Sequence, residues 1–228
     1  MSSHSTAENY QGPPHVHHMD APTAYSAAKL GMWLFLATEI LLFGGLFAAF
    51  ALFRWMYLEA FEHASQQLAW GWGALNTLVL LFSSFTAAMA VEAAQKGNNQ
   101  RVFRLLAITI GCGFIFLIIK FIEYRAKYVH GIWPSSAEWN DPQFNAHYKS
   151  FFGLYFCMTG LHALHVILGM GLLAWALRKA RVNRYSKEYY TPVEVGALYW
   201  HLVDLIWIYL FPLLYLVGHP SWHTPFGH

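Results

Sequence analysis

Charge is scarce in this chain. Asp, Glu, Lys and Arg make up 11% of 228 residues, against about 25% in an ordinary soluble domain. Fourteen basic and twelve acidic side chains are too few to coat a water-facing surface of this size. They also lack the concentration of Lys and Arg that a nucleic-acid binder needs. Cysteine is nearly absent: two residues allow at most one bridge, which excludes a disulfide scaffold. No CxxC pair, phosphate-binding loop or nucleophile–base pair occurs, so no catalytic residue is expected. What is plentiful is apolar surface, 57% of residues, with 18% aromatic, the opposite of a disordered composition.

The apolar residues fall into five runs long enough to cross a bilayer, which takes about 20 helical residues. They cover approximately 29–53, 70–94, 103–121, 151–177 and 193–217. The short-period alternation of an outer-membrane barrel is absent. The expected fold is therefore all-α, a polytopic bundle of five transmembrane helices. Gly97-Asn98-Asn99 is a turn signal that makes the second and third spans antiparallel neighbours. About 29 residues separate the third span from the fourth, long enough to suggest a contact surface. No internal repeat supports an inverted-repeat transporter.

Residues 1–28 read as a flexible polar tail and 218–228 as a short C-terminal one. His15, His17 and His18 could bind metal, though polar tails commonly collect histidine without doing so. Basic residues divide nine to five between the two sides. Lys29, Lys96, Arg101, Arg104, Arg178, Lys179, Arg181, Arg184 and Lys187 oppose Arg54, Lys120, Arg125, Lys127 and Lys149. The positive-inside rule then places the N-terminus inside and the C-terminus outside.

Ionisable groups at membrane depth are expensive and so are default candidates for function. Glu39 lies about 15 Å into the first span. His162 and His165 on the fourth span, with His201 and Asp204 on the fifth, fall at similar depth. Three readings stand side by side. The layer could be a structural hydrogen-bond network. Glu39 could handle protons, its carboxyl made more basic by desolvation. His201 and one histidine of the fourth span could ligate haem, although a second cross-helix pair is missing. Gly44, Gly45, Gly153, Gly160, Gly169 and Gly171 would permit close helix approach. Ser83, Ser84 and Thr86 can bond to their own backbone.

Five stretches carry a resemblance. They are KLGMWLFLATE at 29–39, ending on Glu39; LNT at 75–77; FIEY at 121–124; GLHALHVILG at 160–169, with His162 and His165; and YWHLVDLIW at 199–207, with His201 and Asp204. In this order they resemble subunit III of the haem–copper cytochrome c oxidases. The resemblance covers about 29–217 and implies an accessory, non-catalytic subunit without cofactors of its own. Haem and copper would sit in partner subunits. The chain would pack against subunit I and other oxidase subunits, help sustain proton uptake and bind structural phospholipid. It places Glu39 at the family's buried helix glutamate and the other four residues among its polar helix positions. Arg178, Lys179 and Arg181 would meet lipid phosphates, each worth about 1 kcal/mol near an anionic surface.

The familiar long form has two further helices at its start, so a neighbouring chain is expected to cover the face they would occupy. The expected home is a bacterial cytoplasmic membrane, ahead of the mitochondrial inner membrane, with a respiratory supercomplex as a further association. Subunit III of a quinol oxidase shares the motifs and is the alternative within the family. Outside it stand a membrane b-type cytochrome and a small transporter.

Overall fold

The computed structural model describes residues 21–129, 146–216 and 218. The histidines of the N-terminal tail, the middle of the long loop and most of the C-terminal tail lie outside these residues. Six helices follow one another: α1 (Ala21–Met56), α2 (Leu58–Gln66), α3 (Trp70–Gln95), α4 (Asn99–Val129), α5 (Ala146–Arg181) and α6 (Thr191–Phe211). A π-helical turn, Pro212–Leu216, extends α6. Among the described residues there is no strand, and α1, α3, α4, α5 and α6 are long and apolar enough to cross a membrane.

The five expected spans are all present, but most run longer than their apolar stretches. α1 begins at Ala21, so residues 21–28, expected to belong to the tail, are helical. α4 continues past 121 to Val129, and α5 starts at Ala146 rather than 151. The reason is that Lys120, Glu123 and Lys127 are buried helix residues, not loop charges. At spacings of three and four they share one inward face.

α2 was not expected. Its nine residues turn Phe61, Ala64 and Ser65 inward. Phe61 meets Phe50 and Phe151 edge-on, each at 5.3 Å. Gly218 lies directly on this helix, and a Cβ there would stand 2.4 Å from the Glu62 carbonyl oxygen.

Two loops on the α1 N-terminal side end helices in the same way. After α3, Gly97 takes the left-handed conformation at φ 72°. Its N–H bonds Ala94 O, and that of Asn98 bonds Ala93 O, the Schellman pattern. Asn183, at φ 52°, does the same after α5. Asn99 then joins the two loops, donating to Tyr185 O and accepting from Tyr185 N–H. Burial raises the Tyr185 phenol pKa, which keeps its hydroxyl a donor to Ala176 O at 2.9 Å.

α3, α4, α5 and α6 form the core, with Trp200 and Trp207 at its centre. α1 packs along one edge through a narrow stripe, Met32, Leu36, Phe43 and Phe50. Only 17% of its most apolar stretch is buried within the chain, against 56% for α6.

Close helix approach falls on one of the glycines expected to allow it. Gly169 faces the rings of Trp200 and Tyr199, where a Cβ would meet ring carbons at 3.0 and 3.1 Å. Gly44, Gly45, Gly153 and Gly171 have nothing within 4 Å. Gly169→Leu is therefore expected to push α5 from α6 at a cost of about 1–3 kcal/mol, the usual range for overpacking. Gly171→Leu should be tolerated. Thermal unfolding of the two variants in one detergent checks the difference.

Candidate functional site

Helix direction and register decide which of the polar residues meet. α5 and α6 run antiparallel, with His162 beside Trp207 and Gly169 beside Trp200. α3 and α6 are also antiparallel, matching Thr77 with Trp207 and Ser83 with Trp200. His165 and Asp204 thus lie at one level, as their depths in the sequence suggest, and His162 lies about one turn away.

Glu39 and His165 form one of the polar pairs that tie α1 to the core. His165 Nε2 lies 2.8 Å from Glu39 Oε2, and its Nδ1 lies 2.8 Å from the Leu161 carbonyl oxygen. A carbonyl only accepts, so Nδ1 must carry a proton. The Nε2–Oε2 contact then holds a second proton, located on one atom or the other. The pair can therefore exist as imidazolium–carboxylate or as imidazole–carboxylic acid without changing its geometry. Phe43 packs edge-on against the imidazole at 5.3 Å.

The other three residues do not join this pair. His201 Nδ1 lies 2.7 Å from Ser84 Oγ across the α3–α6 contact. Asp204 is buried with the Ser84 hydroxyl facing it, yet neither carboxyl oxygen is within hydrogen-bond length of a partner. His162 is fully buried, tilted against Trp207 and edge-on to Phe116, and neither ring nitrogen is bonded. The expected layer is thus two hydrogen-bonded pairs and two isolated groups rather than one network. The haem arrangement is also not assembled. Both nitrogens of His165 are engaged, and the register sets His162 about six residues, or 9 Å, from the level of His201. Among the described residues no group of three or more His, Cys, Asp or Glu is placed to hold a metal.

α4 carries a second polar cluster, beyond the five residues expected. Lys120 Nζ donates to Glu123 Oε2 at 2.9 Å, to Tyr215 Oη at 2.8 Å and to Tyr155 Oη at 3.3 Å. Glu123 Oε1 accepts from Tyr155 at 2.9 Å and Tyr215 at 2.6 Å. All three ammonium hydrogens have acceptors, and both carboxylate oxygens have donors. The Trp207 ring lies 5.1 Å from the cation, adding cation–π attraction. Lys127, also buried, lies one turn further along and reaches the Gln67 carbonyl oxygen at 3.5 Å. The signal was available: the FIEY stretch holds Glu123, and Lys120 and Lys127 flank it at helical spacing.

The hydroxyls of α3 bond both locally and across helices. Ser83 Oγ donates to Leu80 O and accepts from Trp200 Nε1 at 3.0 Å. Thr86 Oγ1 contacts Thr109 Oγ1 at 2.8 Å. Of the basic run in the last turn of α5, Lys179 is held over the Trp175 ring at 3.7 Å, whereas Arg178 and Arg181 are exposed.

Comparison with known proteins agrees with the resemblance. Residues 10–219 match the family described as cytochrome c oxidase subunit III. A cytochrome c oxidase subunit 3 from Thermostichus vulcanus is 32% identical, over 82% of this chain and 86% of its own length. A probable cytochrome c oxidase subunit 3 from Mycobacterium leprae is also 32% identical, over 89% and 92%. A probable quinol oxidase subunit 3 from Staphylococcus haemolyticus is 28% identical, over 83% and 89%. The chain belongs to the cytochrome c oxidase subunit III family, and is an accessory, multi-pass membrane subunit of a haem–copper oxidase.

Proposed function

We propose that this chain braces subunit I of a terminal oxidase in a bacterial cytoplasmic membrane, sustaining proton uptake while carrying no redox centre itself. The observation that carries this reading is the Glu39–His165 pair. It joins a carboxyl group and an imidazole midway along α1, on the helix with the greatest apolar exposure, which supports a proton-handling role there. Leu30, Trp33, Leu34, Leu41 and Trp55 of α1 are exposed, and their outward face is offered to subunit I and to lipid.

In this reading the N-terminus lies inside. Burial of Lys120 and Lys127 within the bundle supports this, because it removes two charges from the outer loops and widens the bias that sets orientation. Arg178 and Arg181 are then exposed on the inner face, suited to lipid phosphates. The electron donor is set elsewhere in the complex, since relatives of this chain are named for both cytochrome c and quinol oxidases.

Affinity purification of the tagged chain in mild detergent tests the reading. It should bring down a partner bearing haem and copper, while the isolated chain is colourless. A haem band in the isolated chain would refute it. Glu39→Gln keeps a donor toward His165 Nε2 but removes the movable proton. It should leave the haem spectrum of the complex unchanged and shorten the period of sustained turnover.

A further inference from the structure

Three polar side chains in the core have no hydrogen-bond partner. Asn76 and His162 are fully buried, Asp204 is 2% exposed, and all six of their side-chain nitrogens and oxygens are unbonded. They come from three helices, α3, α5 and α6, at levels within about one turn of one another. His162 packs at a tilt against the Trp207 ring at 5.3 Å, and Asn76 adjoins Thr77, which accepts the indole N–H at 3.1 Å. Asp204 lies on α6, three residues before Trp207, with the Ser84 hydroxyl facing it beyond hydrogen-bond length and Cys112 within electrostatic reach. The register puts Asn76 and His162 at one level and Asp204 about one turn away.

A neutral imidazole always keeps one N–H to donate, and a primary amide keeps two donors and an acceptor. Hydrocarbon surrounds the bundle, so bulk solvent does not reach these groups, and leaving them bare is costly. The neighbouring hydroxyls are already committed: Thr77 Oγ1 donates to Gly73 O, and Ser84 Oγ is bonded to His201. Buried groups in this position are ordinarily satisfied by internal water making two to four hydrogen bonds.

We infer that Asn76, His162 and Asp204 form a binding site for a small cluster of ordered water molecules, enclosed by α3, α4, α5 and α6. The cluster extends the Lys120–Glu123 network inward, since Lys120 is within electrostatic reach of His162. At its other end it meets the Ser84–His201 pair. The bundle axis thus holds a nearly continuous column of polar groups, independent of how the chain serves subunit I.

Two measurements on the intact oxidase test this. A density map that resolves ordered solvent should place water within hydrogen-bonding distance of at least two of the three side chains. Asn76→Leu, which removes the partners the water bonds, should lower the midpoint of thermal release of this chain by roughly 2–4 °C. Asp204→Asn retains hydrogen-bonding groups and should shift the midpoint less. Were the site dry, replacing an unsatisfied amide with an apolar group would instead stabilise the bundle. Water on fewer than two of the side chains, or a raised midpoint for Asn76→Leu, overturns the inference. Neither result alters co-purification with a haem-bearing partner, so the two readings fail separately.

Discussion

Glu123→Leu is expected to destabilise the assembled subunit by roughly 3–5 kcal/mol, the range for removing one partner of a buried ion pair. The side chains of Lys120 and Glu123 are each 5% exposed. Removing the carboxylate leaves an ammonium in a bundle interior, with Lys127 on the same helix face as a second buried cation. The phenols of Tyr155 and Tyr215 lose their shared acceptor at the same time. Lys120→Met alone should cost a similar amount. The double variant Lys120→Met/Glu123→Leu should recover most of the loss, because apolar side chains of like volume often substitute for a buried pair at little cost. A double-mutant cycle on thermal or denaturant-induced release of the chain measures the coupling. Single variants within about 0.5 kcal/mol of the parent would mean that the pair is hydrated and screened.

The second large effect is expected at Trp207. Its ring contacts His162 at 5.3 Å and Phe116 at 4.8 Å, its face underlies Lys120 at 5.1 Å, and its N–H reaches Thr77. Trp207→Ala removes all four interactions and opens a cavity among three helices, for a loss of roughly 3–5 kcal/mol. Trp207→Phe keeps much of the packing and gives up one hydrogen bond, worth about 0.5–1.5 kcal/mol. Thr77 Oγ1 would still donate to Gly73 O at 2.9 Å. Comparing how far each variant retains this chain in the purified complex separates packing from the hydrogen bond. Equal losses would show that the indole N–H outweighs the ring.

How far the sequence could be read depended on which variable each feature rests on. Five apolar runs gave five helices because span length depends on bilayer thickness. Their ends were less legible, since the third run was closed at Phe121, ahead of Glu123, Arg125 and Lys127, and a helix need not stop there: α4 runs on because Glu123 and Lys127 turn inward. α2 was missed because nine residues are too short to stand out as a span, and its inward face appears only once Phe50 and Phe151 are placed beside it. The levels of Glu39, His165 and Asp204 followed from counting along the spans. Their partners did not, because pairing depends on helix rotation and on which helices touch. That is why Glu39 meets His165 rather than His162, and why His201 turns to Ser84, a residue whose hydroxyl carried no signal of its own.

The placement of α1 bears on how the protein is made. Glu39 meets its partner 126 residues later in the chain, and Tyr25 meets Glu194 after 169. At about 5–20 residues per second, α1 is synthesised some 6–25 s before α5 delivers His165. Through that interval a carboxyl group is in the membrane without its mate, at a cost of a few kcal/mol for an acidic side chain at mid-span. The first span is thus the hardest to insert alone and the last to be secured. During biogenesis it must be sheltered, by the insertion machinery or by a protonated carboxyl, until α5 arrives.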